Sequence, residues 1–359
     1  MSDEIIRKLA TIQKVVSISP IEGADRLEMA RVLGWQLVVK KGEFSVGDLG
    51  VYFEVDSVIP DNVLIYAGLW DEEKGKGKLA GSKGNRLKTI KLRGQISQGL
   101  LLPLSDFTVE DVEEGKDLTE ELGVEKYEPP IPVQLQGVMK GNFPSFLIRT
   151  DAHRLQNYPS LIQEMYGREC YITIKIDGTS CTFYNRFNRE SPYNTWGTSH
   201  NDFGVCSRNV DLKESEGNLY WQMSHKYDMV NILKDHNLAV QGEVYGPSIQ
   251  KNRMGAKDIG LKVFDVFDIH SYKYFNFNDL LYFCNTYNLP MVDVIYTGEF
   301  KWDNVYDLID FASKQLYVEN GDIAEGIIIR PTEESYSEVL SGRLSFKVIS
   351  PEYLARYGN

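Results

Sequence analysis

Lys175-Ile176-Asp177-Gly178 places a lysine, then an acid, then a glycine inside the stretch YITIKIDGTS. The stretch alternates and is rich in β-branched residues, the pattern of a strand that buries its side chains. A lysine there is costly to desolvate unless it meets an opposite charge or a ligand. A desolvated amine also gives up its proton more readily and so becomes a nucleophile. Residues i and i+2 of a strand share a face, so Asp177 is expected beside the Lys175 ammonium, with Gly178 turning the chain. Other segments put polar or charged groups into apolar runs: VCSRN (205–209), VQGEVYG (240–246), LKVFDVFDI (261–269), AEGIIIRP (324–331) and RLSFKVIS (343–350). Glu243, Glu325 and Lys347 are their strand-borne charges. One such residue is most simply half of an ion pair; so many on one chain point to a shared polar site.

These residues need strands to carry them. Strands are expected at 170–185, 239–245, 261–269, 325–330 and 343–349. Helical spacing appears in SEGNLYWQMSHKYDMVNILKDHN (215–237), FNDLLYFCNTYNL (277–289) and VYDLIDFASKQLYV (305–318), and LQNYPSLIQEMYG is a further helix candidate. The interleaving is irregular, which implies an α+β domain whose antiparallel sheets line a cleft. Residues 1–104 read as about five short strands with Gly, Pro and Asp punctuation, the signature of a small OB-type barrel. An acidic helical segment is expected over 105–128 and the proline-rich YEPPIPVQLQ marks a boundary. The expected division is 1–128 (OB-type barrel with an acidic helical tail), 129–142 (linker) and 143–359 (α+β domain).

The chain has 359 residues, enough for two domains, and a net charge of −12. That charge alone opposes binding to phosphate backbones, but its distribution is uneven. KGKGKLAGSKGNRLKTIKLR (74–93) holds eight basic residues and no acid, whereas 106–128 holds ten acids against two lysines. A local basic surface is therefore compatible with an acidic whole. No GxxxxGK[ST] occurs in 74–93, so it is no P-loop. Four cysteines form no CxxC pair, which argues against a zinc site or a disulfide framework. Nothing approaches a membrane span or a signal-peptide core. A reducing cytoplasm is the expected location, with the nucleus left open.

The ordered segments resemble the motifs of the covalent nucleotidyltransferases: ATP-dependent DNA and RNA ligases and mRNA capping enzymes. KxDG of motif I is matched by Lys175–Gly178. Ser207-Arg208-Asn209 follows, Gly242-Glu243-Val244-Tyr245 resembles motif III, and Phe264-Asp265 resembles motif IIIa in preference to Phe267-Asp268. Glu325-Gly326-Ile327-Ile328 resembles motif IV and Ser345-Phe346-Lys347-Val348 motif V. IEGADRLEMARVLGWQLVVKKGEFSVGDLGVYFEVDSVIP, KLRGQISQGLLLPL and FPSFLIRTDAHRLQN are similar to the RNA ligases typified by the Naegleria enzyme, whose OB module precedes the nucleotidyltransferase domain. Only 12 residues follow Lys347, so no C-terminal OB domain of the DNA-ligase and capping type is expected.

The resemblance implies an ATP-dependent RNA ligase that joins 3′-OH and 5′-phosphate ends, with nicked duplex as the expected substrate. A lysyl–AMP and then an adenylylated RNA, AppRNA, are the implied intermediates. It further implies Lys175 as nucleophile and Lys347 at the α-phosphate. Asp177 would orient the amine or hold a water of a Mg²⁺ or Mn²⁺ shell, and Glu243 and Glu325 would serve the metal, Glu243 also the ribose. Arg208 and Asn209 would contact AMP phosphate or ribose, Ile174 would line the nucleotide site, and Phe264 would stack on adenine. Arg149, Arg154 and the 74–93 stretch are candidate RNA or triphosphate contacts. A monomer is expected. Motif V here has one lysine where many ligases have two, and Thr179-Ser180 stands where many DNA ligases carry an arginine. A GTP-dependent capping-type guanylyltransferase and a catalytically inactive RNA-binding protein are the competing readings.

Overall fold

The structure is a computed structural model that describes residues 7–128, 137–187 and 201–358. β1 (Ala10–Pro20), β2 (Leu27–Val32), β3 (Trp35–Lys40), β4 (Leu49–Phe53) and β5 (Leu100–Pro103) form a sheet in the order β5-β4-β1-β2-β3. β1 pairs with β4 through its first half and with β2 through its second, with an irregularity between Val15 and Ser17. A bulge at that point bends the strand, so one long strand serves both halves of a curled sheet. Val15, Val32, Trp35, Leu37 and Tyr52 pack together in one buried cluster on the sheet. A second cluster packs Ile12, Val51 and Phe53 against α1 (Asp61–Tyr66).

The acidic segment is not a helix. Among the described residues it holds a 3₁₀ turn at Leu104–Asp106 and a two-residue strand, Glu125–Lys126, paired with Ser57–Val58. Asp111, Gly115 and Gly123 have positive φ, which interrupts any helical run. Leu118 and Val124 enter the barrel core from this irregular path, so burial of a few apolar residues overrides helical propensity.

The C-terminal region holds two sheets. The larger contains β6 (Met139–Asn142), β9 (Thr179–Phe187), β10 (Asn201–Ser207), β11 (Val210–Leu212), β12 (Leu238–Tyr245), β13 (Gly260–Asp268) and β14 (Lys273–Tyr274), in the order β6-β11-β10-β9-β12-β13-β14. The smaller contains β7 (His153–Arg154), β8 (Glu169–Lys175), β15 (Val294–Glu299), β16 (Gly326–Pro331) and β17 (Phe346–Ile349), in the order β7-β17-β16-β8-β15. All pairings are antiparallel except β7 with β17. Residues 139–142, expected in the linker, thus form an edge strand paired with β11, and 129–136 lie outside the described residues.

α2 (Leu161–Met165) and α6 (Val305–Ser313) cover the smaller sheet through Leu161, Ile162, Leu308 and Ala312. α3 (Leu219–Lys226), α4 (Met229–Leu233) and α5 (Phe277–Thr286) cover the larger one. Asn218 and Asn304 cap α3 and α6, their side chains accepting from first-turn backbone N–H groups. α7 (Pro351–Tyr357) begins at the capping Ser350 and packs Tyr353 between the sheets with Ile174, Ile176 and Tyr317. All four cysteines are buried free thiols. No described helix is long and apolar enough to cross a membrane.

Barrel and C-terminal region meet closely. The Gly34 N–H donates to the Gln156 carbonyl at 2.9 Å, and a Cβ on Gly34 would stand 2.8 Å from Gln156 Cα. Trp35 Nε1 donates to Asn157 Oδ1 at 2.7 Å, and the Arg31 guanidinium sits 3.9 Å from the centroid of the Tyr306 ring.

Candidate active site

Lys175 ends β8 of the smaller sheet, and Thr179 begins β9 of the larger. Residues 176–178 therefore carry the chain from one sheet to the other, and the cleft lies where the sheets part. Gly178 is needed for this passage, since a Cβ there would lie 2.3 Å from the Val244 carbonyl oxygen and 2.8 Å from Glu243 Cγ. Gly326 pairs directly with Lys175 across the ladder, and a Cβ on it would lie 2.1 Å from the Val348 oxygen. That close approach puts the preceding residue, Glu325, at the lysine: Lys175 Nζ to Glu325 Oε2 is 2.6 Å.

The cleft has a volume of about 400 Å³ and is lined by Ile174, Lys175, Arg208, Asn209, Glu243, Phe264 and Lys347. A second groove of about 870 Å³ leads from it to the barrel; it holds Lys175, Glu325, Lys347 and Arg208 at one end and Arg7, Glu54, Asp56 and Arg86 at the other. Phe264 borders the cleft with its carbonyl fixed by Arg330 Nη1 at 3.2 Å, whereas Phe267 is fully buried in a separate cluster. Arg330 and Arg343 both pair with the buried Asp265. Ser345, which precedes Lys347 by two residues, accepts from Arg330 Nε at 3.1 Å.

Charge in the cleft is unevenly compensated. Burial opposes charge on Lys175, but Glu325, Glu243 and Asp177 outweigh it and raise the amine's pKa. The lowered value expected from burial alone is therefore not the resting state of the protein. Burial and the neighbouring Glu325 push Glu243 up to about 8, against the opposing pull of Lys175 and Arg208. Lys347 goes the other way, down to about 7: burial dominates, Arg154, Lys175 and Arg208 add to it, and Asp151 opposes it. Arg208 Nη2 is held at 2.6 Å by Asp151 Oδ1.

Asp177 departs from the expected geometry. The strand stops at Lys175, so the i, i+2 rule no longer applies, and the Asp177 carboxylate turns to Arg253 and Tyr353 instead. Arg149 is half-buried near Thr150, whose hydroxyl lies 2.7 Å from that of Ser180, and it borders neither the cleft nor the groove. Arg154 lines the groove but is occupied by the barrel, with Nη2 3.0 Å from Asp56 and Nη1 3.6 Å from Glu54. The basic stretch is also partly spent on structure: Lys74 pairs with Asp71, Lys91 with Glu352, and Arg86 with Asp56 while stacking on Tyr127.

Among the described residues no three His, Cys, Asp or Glu side chains gather as a ready-made metal cage. The donor set nevertheless fits a hard cation that keeps most of its water. Glu243 and Glu325 repel each other across the cleft, and a cation between them would relieve that repulsion with few protein ligands.

A family model described as RNA ligase matches residues 168–349, and one described as an OB-fold domain matches residues 9–104. A mutant of Naegleria gruberi RNA ligase with AMP and Mn is 35% identical, with a TM-score of 0.82, covering 98% of this chain and 99% of that one. The chain belongs to the RNA ligase family. Structures of another Naegleria gruberi RNA ligase mutant with ATP and Mn, and of that RNA ligase with PPi, align equally well, each at 35% identity, a TM-score of 0.82, and coverage of 98% of this chain and 99% of that. No curated protein matches the chain at a significant level. As an RNA ligase the protein is an enzyme, RNA is the substrate class its family implies, and its fold is an N-terminal OB barrel joined to an α+β domain with a curled antiparallel sheet.

Several residues at this RNA ligase cleft escape a reading of the sequence. Asp151 borders the cleft from the segment just before β7, and His153 reaches the adjoining groove as the first residue of that two-residue strand. Arg253, Tyr317 and Tyr353 come from distant segments whose sequences carry no charge-in-strand signal; only folding brings them under the lysine.

Proposed function

We propose that the protein is an ATP-dependent RNA ligase that seals 3′-OH and 5′-phosphate RNA ends, with a nick in a duplex as its substrate. The observation that carries this reading is the convergence of Lys175, Glu325, Glu243 and Lys347 where the cleft and the groove meet, with Lys175 Nζ 2.6 Å from Glu325. Lys175 Nζ gives up a proton to solvent and attacks the α-phosphorus of ATP; a P–N bond forms, the bond from the α-phosphorus to the bridging oxygen breaks, the nitrogen sheds a second proton, and pyrophosphate leaves. AMP then passes from the lysine to a 5′-phosphate, giving AppRNA and restoring the amine. The 3′-hydroxyl attacks the 5′-phosphorus of AppRNA and AMP departs.

The chain's own residues supply position and charge, which is most of what phosphoryl-type transfer requires. Glu325 holds the amine in place at the end of β8. Lys347 and Arg208 face the phosphates, Lys347 taking up a proton as negative charge approaches it. Phe264 offers an apolar face to adenine, Ile174 closes the wall beside the lysine, and Asn209 lies at the cleft's rim for phosphate or ribose. Glu243 and Glu325 would hold Mg²⁺ or Mn²⁺, with Asp177 as a further candidate through water. A bound cation supplies positive charge that counters these carboxylates and lowers the pKa of the amine. The Naegleria structures with ATP, AMP and Mn support both ligands. The groove toward the barrel is the path proposed for the triphosphate tail or RNA, with Arg154 at its wall; Arg149 stands outside it.

Labelling with [α-³²P]ATP and Mn²⁺ on a denaturing gel tests the reading. Wild-type protein is expected to take up label and Lys175→Ala to take up none. Label from GTP in place of ATP would instead establish a capping-type guanylyltransferase. A protein whose mass shows no bound AMP and which accepts neither nucleotide would be an inactive RNA binder.

A further inference from the structure

The side chain of Asp177 is held from below the lysine. Its Oδ2 accepts from the Tyr353 hydroxyl at 2.6 Å and from Arg253 Nη1 at 3.1 Å. Arg253 Nη1 also donates to the Tyr353 oxygen at 3.1 Å, and its Nη2 to the Tyr357 carbonyl at 2.7 Å. These donors are remote in the chain. Tyr353 is a 3% exposed residue of α7. Arg253 follows Gln250, Lys251 and Asn252, all with φ between 44° and 62°. Non-glycine residues keep such φ only where their surroundings fix them, and the Arg253 guanidinium is held at Nη1 and Nη2.

A second set of bonds hangs the catalytic backbone from the same place. The Tyr317 hydroxyl donates to the Lys175 carbonyl at 3.4 Å and accepts from the Glu325 N–H at 3.0 Å. The Ser350 N–H, at the start of α7, donates to the Glu325 carbonyl at 2.9 Å. The turn after the lysine and the main chain of its partner acid are thus both tied to α7 and its neighbours.

We infer that Tyr353 and Arg253 are positioning residues for lysine adenylylation: by gripping Asp177 they fix the 176–178 turn and with it the aim of Lys175 at the α-phosphorus. The inference rests on the function proposed above. Both bonds reach Oδ2, so the grip is compatible with a further role for the other carboxylate oxygen. Aim matters most in the step where Nζ is the nucleophile. Joining of RNA that is already adenylylated forms no bond to the lysine and places no such demand on the turn.

The test compares two reactions of full-length protein: single-turnover lysyl–AMP formation from [α-³²P]ATP, and sealing of a pre-adenylylated RNA nick. Tyr353→Phe is expected to slow the first at saturating ATP by about tenfold or more, the scale on which small misplacements act. Half-saturation by ATP and sealing of pre-adenylylated RNA should stay within about twofold of wild type. Arg253→Lys should retain more adenylylation than Arg253→Gln, and Tyr353→Phe should add little to the defect of Asp177→Asn. Wild-type adenylylation by Tyr353→Phe would overturn the inference. So would equal loss of both reactions together with a lowered Tm, which marks a structural role alone. A wild-type protein that takes up no label overturns the ligase reading itself, a result distinct from equal labelling of wild type and variant.

Discussion

Lys347 sits among cations, and the fold bears the cost. Its pKa, brought to about 7 chiefly by burial and then by Arg154, Lys175 and Arg208, lies below that of a lysine in the unfolded chain. The unfolded state therefore binds the extra proton, and stability rises with pH between about 7 and the ordinary lysine range. Lys347→Met removes this penalty. Its gain in stability over wild type should grow as pH falls from about 10 to 7, reach on the order of 2 kcal/mol and flatten below, as urea titrations at several pH values would show. The same variant should lose nucleotidyl transfer. Lys175, Glu243 and Lys347 stood out in the sequence as charges in otherwise apolar strands, and Glu325 as a charge immediately before one. The direction of Asp177 did not, because the strand ends two residues before it and its partners lie 76 and 176 positions away.

Two glycines show how the strands make the site. Gly178 and Gly326 each bring backbone so close to a neighbouring strand that a methyl group would meet a carbonyl oxygen, at 2.3 Å and 2.1 Å. Gly326→Ala should destabilise the fold by about 2 kcal/mol and spread the Lys175–Glu325 pair, which thermal unfolding and the lysyl–AMP assay would read separately. The strands near 239–245, 261–269, 325–330 and 343–349 and the three longer helical stretches of the C-terminal region follow from the periodicity of the sequence, whereas the expected strand at 170–185 is two strands in different sheets and those at 201–207, 210–212 and 294–299 were not expected. The 105–128 segment does not follow: its acids and leucines imitate a helix, while Gly115, Gly123 and Asp111 break it and the barrel core claims Leu118. The edge strand at 139–142 was equally hidden, because an exposed strand of four residues carries no apolar alternation.

At the scale of the whole molecule, the barrel and the cleft share a wall. Arg154 lies between them, paired with Asp56 and near the buried Glu54, which also binds Arg7. Arg154→Met leaves those acids without that partner and should cost about 3 kcal/mol. It should slow lysine adenylylation too if the barrel aids that step. A variant with lowered Tm but wild-type adenylylation would place the barrel's contribution in RNA docking. That the chain joins an OB barrel to a nucleotidyltransferase domain was legible from the strand pattern of 1–104, the resemblance of its N-terminal stretches and the motif order in 175–348. How the two lock was not, because the Gly34–Gln156 contact and the Trp35–Asn157 bond are made by residues with no distinguishing pattern.

The four buried thiols have a use of their own. Cys170 belongs to the smaller sheet, Cys181 and Cys206 to the larger, and Cys284 to α5, while the barrel has none. Burial pushes Cys170 and Cys284 up to about 12, and the other two also rise. An alkylating reagent therefore reacts only when the surrounding element opens. Each cysteine acts as a timer for its own sheet or helix, and peptide mapping of alkylation rates would rank the opening of the two cleft walls with no engineered label.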